Sequence, residues 1–173
     1  EGGVGEVRHG HQGAGDRPAY LWNEYTLPAS GGGWGKSDWL PIRRCNYALA
    51  RIAKMPNPDD PVVKKNEAEI RFFKAYYYLK KIQQFGDVPW FDQDLNIDSP
   101  ELQAPRESRK VVFAKMMEDL DFAAANLPEA SAGGRLTKFA ALFFKAEACL
   151  YEGTFRKYHS LGDHEVILRA SAT

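Results

Sequence analysis

EAEIRFFKAYYYLKKIQQFGDVPWF, residues 67–91, is a strong helical pattern that runs into a hard stop. Ala68, Phe72, Ala75, Leu79 and Ile82 recur at spacings of four and three, which puts them on one apolar stripe. Ile70, Phe73, Tyr76 and Tyr77 widen that stripe and predict a helix covered on more than one side. Glu67 and Arg71 form an (i, i+4) pair with the acid first, and Lys80 and Lys81 suit the negative C-terminal end. Gly86 offers a left-handed cap, and Pro89 forbids continuation. The stretch predicts a core helix of an all-α protein.

The flanking sequence repeats this plan. Residues 1–37 carry no helical period and read as an irregular, loop-rich segment, its start dominated by Gly and His. Asp38 is the expected N-cap of a first helix, in which Pro41 is tolerable only in the first turn. Ile42, Cys45, Leu49 and Ile52 supply its stripe, ending near Met55, and PNPDDP (56–61) is a turn. After Gly86, a long connection to Glu107 carries Pro89, Pro100 and Pro105; a loop of this length is usually functional or interfacial. Ser108 caps a third helix with the stripe Phe113, Met116, Leu120, Ala123 and Leu127, stopped by Pro128. Thr137 caps a fourth, expected to bury Leu142, Ala146 and Cys149 and to end near Gly153; a fifth starts near Asp163.

The string FFKA occurs at 72–75 and again at 143–146, an offset of 71 residues that Leu79 and Leu150 share. In the same register Ile42, Cys45, Leu49 and Ile52 map onto Phe113, Met116, Leu120 and Ala123. The expected fold is therefore all-α: stacked αα-hairpins of a tetratricopeptide-like helical repeat, truncated within the fifth helix. The expected organisation is an irregular segment 1–37 followed by a helical-repeat domain 38–173, incomplete at its C-terminus. Apolar surface left open at that end predicts self-association.

Lys plus Arg and Asp plus Glu each number 23, so no global field recommends nucleic acid or an acidic substrate as a partner. At 44% hydrophobic residues there is enough to build a core, yet no apolar run spans a bilayer. Cys45 and Cys149, the only cysteines, fall in helical patterns and read as small buried hydrophobes; a disulfide between them stays open. His9, His11, His159 and His164 have no Cys or carboxylate at zinc-signature spacing, so no metal or other cofactor is expected. GGGWGKS (31–37) imitates a phosphate loop, but the position five before Gly35 is Ser30, and NEYTLP (23–28) is no buried strand. Glu69 and Glu147 lack a His or a second carboxylate for acid–base work, so catalytic residues are not expected. The Tyr76–Tyr78 run points three ways around its helix, with core packing the ordinary role.

Several ordered blocks resemble the SusD-like (RagB) family of glycan-capturing lipoproteins on the outer surface of Bacteroidetes cells. IRRCN (42–46) is similar to the family's first-helix signature, EIRFFKA with Tyr76–Tyr78 to its E-A-R-F-L-R-A-Y-Y-Y helix, and GDVP (86–89) to its usual stop. Arg106 and Ser108, Asp119-Leu120 and Leu127-Pro128 resemble R-S…D-L…L-P, and Gly134, Arg135, Thr137, Lys138, Ala140 and Ala141 resemble G-R-x-T-K-x-A-A. The resemblance implies a non-enzymatic protein at the extracellular face of the outer membrane, held by a lipid anchor whose Cys this sequence lacks. It implies capture of oligosaccharides for nutrient uptake and their delivery to a SusC-type TonB-dependent transporter. Family members continue into a C-terminal half that supplies some glycan contacts.

The matching blocks are scaffold blocks, so no binding residue transfers from them. Family glycan sites lie on loops, some preceding the first helix, where flat aromatic faces and bidentate polar groups suit sugars. Trp22, Asn23, Trp34, Asp38 and Trp39 have that chemistry and location. Trp39 also falls three residues before Ile42, which favours a packed first-turn aromatic; loop anchoring is the alternative for Trp22 and Trp34. The rival function is a helical-repeat scaffold that recognises a protein or peptide and binds no sugar.

Overall fold

A computed structural model describes residues 32–131 and 133–171. The chain separates into two compact units, Glu1–Gly35 and Lys36–Thr173. The second comprises α1 (Lys36–Ile52), α2 (Pro61–Phe85), a 3-10 turn (Pro100–Gln103), α3 (Arg109–Asn126), α4 (Lys138–Tyr158) and α5 (His164–Ala170). The described residues form no strand; one isolated antiparallel bridge joins Val88 to Glu107. Each helix packs mainly on its neighbours in sequence, α2 most extensively on α3. This is the all-α, stacked-hairpin architecture that the sequence predicts.

The caps expected for α3 and α4 act, and Asp60, in the stretch read only as a turn, caps α2. Asp60 accepts a hydrogen bond from Val62 N at the start of α2, Ser108 from Val111 N at α3, and Thr137 from Ala140 N at α4. Gly86 closes α2 at φ 71°, its N–H donating to Ile82 O at 2.9 Å. That positive φ favours a residue without Cβ. α1 begins two residues earlier than the Asp38 cap, which puts Pro41 in the second turn, where it has no N–H to offer the preceding turn.

The stripes of α2 and α3 are buried as read: Ala68, Phe72, Ala75, Leu79 and Ile82 on one, Phe113, Met116, Leu120, Ala123 and Leu127 on the other. Two expectations are corrected. Phe72 is 8% exposed but Phe143 is 75% exposed, so the FFKA strings are not in structural register. The core face of α4 is Ala141, Phe144, Ala148, Cys149 and Glu152 rather than Leu142 and Ala146. ALFFKAEACL has apolar residues on opposite sides of a helix, so its period alone does not choose a face. The aromatic contact chooses: Phe144 lies 5.3 Å from Phe72 and 5.6 Å from Tyr76, centroid to centroid. α4 also runs on to Tyr158, past Gly153, where the absent side chain lets Leu168 of α5 approach.

The charged members of the recognisable blocks bind one another. Arg135 Nε and Nη2 donate to Glu69 Oε1 and Oε2 at 2.9 and 2.6 Å, tying the α3–α4 turn to α2. Arg71 donates to Glu67 at 2.7 Å and to Asp119 of α3 at 3.0 Å. Deeper still, Glu152 is fully buried, accepting from Arg109 Nε at 2.9 Å and Arg156 Nε at 2.8 Å. The Arg109 guanidinium lies 3.5 Å from the Phe155 ring centroid. A buried carboxylate needs such pairing, since alone it would cost several kcal/mol. These blocks are cross-links between helices.

Candidate functional site

The connection from Gly86 to Glu107 is fastened at its base and along its first third. Glu107 N donates to Val88 O at 3.1 Å, and the Asp87 carboxylate accepts from Arg109 N at 2.7 Å, so both ends of the loop sit at the start of α3. Further in, Phe91 N donates to the Tyr78 hydroxyl at 2.7 Å. Asn46 Nδ2 donates to Phe91 O and Gln93 O at 2.8 and 3.2 Å. Tyr78 and Asn46 are almost fully buried, so these bonds are made away from competing water.

The result is an aromatic cluster between the start of α1, the middle of α2 and the loop. Trp39 meets Tyr78 and Phe91 edge-on, with centroids 6.4 and 5.6 Å apart, and Tyr78 stacks on Trp90 at 4.2 Å. Three lysines approach the ring faces: Lys81 lies 5.1 Å from the Trp39 centroid, and Lys74 and Lys115 lie 4.4 and 5.7 Å from that of Trp90. Trp39 and Trp90 remain half-buried, so each presents part of a ring outward. A partly exposed indole held by packing covers sugar C–H surface without further ordering cost.

Beneath this cluster the electrostatics are set by burial. Burial pushes the Tyr78 hydroxyl well above the usual phenolic range and the Cys45 thiol up to about 11. Lys74 is lowered by burial, against the opposing pull of Asp119, and Asp119 is raised by burial, against Lys74 and Arg71. Lys81 is lowered by burial, with Asp38 opposing it. The Lys74–Asp119 separation of 3.9 Å is a charge contact rather than a hydrogen bond.

Of the five residues singled out in the sequence, Trp39 and Asp38 stand in the first turn of α1, with Trp39 in the cluster. Trp34 is half-buried in the turn preceding α1 and belongs to the first unit. Trp22 and Asn23 lie outside the described residues. The cluster's other members, Tyr78, Trp90 and Phe91, were not singled out as site residues, although two aromatics directly after Pro89 in an acidic loop were a visible signal. Among the described residues no three His, Cys, Asp or Glu side chains gather to hold a metal ion, and no helix is long and apolar enough to cross a membrane. Cys45 and Cys149 are both free and buried, Cys149 lying 3.6 Å from the Met117 sulfur.

Comparison with known proteins places this architecture. A curated SusD-like protein, P38 of Formosa agariphila, is 27% identical over 110 residues, 64% of this chain and 21% of its own length. A SusD-like protein of Bacteroides fragilis superposes with a TM-score of 0.59 at 27% identity, covering 66% of this chain and 23% of that one. A laminarin-binding SusD-like protein superposes at 0.60 with 26% identity, covering 71% and 27%. The chain thus spans between a fifth and a third of the length of these relatives. The family model described as "Starch-binding associating with outer membrane" matches residues 20–150, which include every helix from α1 to α3 and most of α4. With the scaffold blocks cross-linked as described and three quarters of the sequence matched, the chain belongs to the SusD-like family.

Proposed function

We propose that this chain is the helical part of a surface glycan-binding protein that captures oligosaccharides and delivers them to a SusC-type TonB-dependent transporter at the outer face of the outer membrane. The observation that carries the reading is the match of residues 20–150 to a family described as starch-binding and outer-membrane-associated. The aromatic surface at the start of α1 supplies the sugar chemistry. Trp39 offers a ring face, and Asp38 offers a carboxylate for hydroxyls. Trp22, Asn23 and Trp34, which precede α1 in the sequence, are the further candidates. The reaction is binding and release, with no bond made or broken.

A glycan array probed with the chain and its Trp39→Ala and Trp34→Ala variants tests the assignment. Loss of signal in either variant, with unchanged helicity, supports it; full retention in both removes these residues from the site. The rival, protein recognition without sugar, draws on the outward face of α4, where Phe139, Phe143 and Leu150 are each more than half exposed. It predicts capture of an amphipathic helix and silence on the array.

A further inference from the structure

Arg43, Arg44, Tyr47, Arg51 and Lys54 form the solvent side of the C-terminal half of α1 and the turn that follows it. All five are exposed, and the one carboxylate in the helix, Asp38, is in its first turn. Basic residues toward a helix C-terminus ordinarily serve the helix dipole. Here two hollows accompany them. One, about 500 Å³, is lined by Ala50, Arg51, Lys54, Gln93 and Asp94. The other, about 320 Å³ and apolar, lies between α1 and α2 against Tyr47, Ile52, Met55, Val63 and Ile70. Arg51 lines both and so stands as the wall between them.

We propose that the polar hollow is a subsite for an anionic sugar residue, a uronate or a sulfate ester, within an oligosaccharide. The proposal rests on the glycan-capture reading and names the ligand class for a subsite on α1. Four features point to it. Arg51 is held in place, its guanidinium 3.4 Å from the Tyr47 ring centroid, so less side-chain freedom is lost when its fork engages an acid. Lys54 adds a second cation on the same wall, with no carboxylate within ion-pair distance among the described residues. Across the hollow the partly exposed Asp94 carboxylate is an acceptor for sugar hydroxyls, while its buried Oδ1 lies 3.7 Å from Arg43 Nε. The opposite wall is also fixed: Asn46 holds the Gln93 carbonyl, and Gln93 Nε2 donates to Glu101 at 3.0 Å. Paired cations facing a carboxylate across a hollow of this size suit a ligand with one acid group and several hydroxyls. A neutral glucan would leave both cations unmatched.

Isothermal titration of the whole chain with oligogalacturonides, sulfated galactan oligosaccharides and neutral laminari-oligosaccharides reads the proposal directly. The acidic ligands bind, weaken steeply as NaCl is raised, and weaken roughly tenfold or more in Arg51→Ala and in Lys54→Ala. Lys80→Ala, an exposed cation on α2, changes nothing, and circular dichroism shows that the variants fold. Neutral oligosaccharides binding as tightly as acidic ones, with no response to either variant, overturns the anionic subsite while leaving glycan capture intact. Binding of neither class overturns both.

Discussion

Removing one oxygen atom, in Tyr78→Phe, tests whether the loop that carries Trp90 and Phe91 is held by α2. The ring of Tyr78 is fully buried and stacks on Trp90 at 4.2 Å, and phenylalanine keeps that contact. The lost hydroxyl accepts from Phe91 N at 2.7 Å, so the substitution strands a backbone N–H in a part-buried site. Such a loss costs about 1–3 kcal/mol. A second, pH-dependent signature follows from burial, which raises the Tyr78 pKa in the folded state. An unfolded tyrosine ionises near pH 10 while the buried one stays protonated, so its contribution is complete below pH 10 and is lost as pH rises further. By pH 11 that loss reaches about 1.4 kcal/mol. Cys45, raised to about 11 by burial, adds a loss in the same alkaline window that the variant retains. Urea unfolding of both proteins at pH 7 and pH 11 reads both effects. Tyr78→Phe is less stable at pH 7, and its deficit shrinks by about 1.4 kcal/mol at pH 11. Equal stability at pH 7, or a deficit that grows with pH, would refute the buried hydroxyl as the loop's anchor.

Three further outcomes follow from the same geometry. Glu152→Gln leaves Arg109 and Arg156 buried without their shared carboxylate and lowers unfolding free energy by about 3–5 kcal/mol in chemical denaturation; a loss under 1 kcal/mol would contradict the buried triad. Gly153→Ala places a Cβ 2.7 Å from Leu168 Cγ and Cδ2, so α5 loosens from α4, seen as faster amide hydrogen exchange across 164–170 with little change in α2. Sedimentation velocity finds concentration-dependent association of the isolated chain through the exposed Phe139, Phe143 and Leu150 of α4, relieved by Phe143→Ser; a monomer at all concentrations excludes it.

The starts of α3 and α4 and the stop of α2 were legible in the sequence because each rests on local chemistry: Ser108 and Thr137 offer a side-chain oxygen, and Gly86 a positive φ. The Asp60 cap, inside a run of turn residues, the start of α1 ahead of Asp38 and the end of α4 beyond Gly153 were not. On α2 and α3 the residues read at spacings of three and four are the ones buried, although Phe73, read as widening the α2 stripe, is exposed. The face of α4 was not legible, since Leu142, Phe143, Ala146 and Leu150 make a second stripe as apolar as the buried one, and only Phe72 and Tyr76 of α2 select Phe144. The FFKA repeat misled for the same reason: identity of a string fixes composition but not rotation about the axis. At the candidate site, Trp39 was identified both as a sugar face and as a packed aromatic, and it is half-buried. Its partners Tyr78 and Phe91 stand 39 and 52 positions further along the chain, a proximity no local pattern encodes. The Asn46 and Tyr78 bonds to the loop are equally non-local.

Glycan capture is tested most directly by isothermal titration of the chain against a panel of neutral and acidic oligosaccharides, with an amphipathic peptide as the competing ligand class. Saturable heat with at least one oligosaccharide, accompanied by a change in tryptophan fluorescence, is the outcome that glycan capture predicts. Heat with the peptide and none with any oligosaccharide would contradict it.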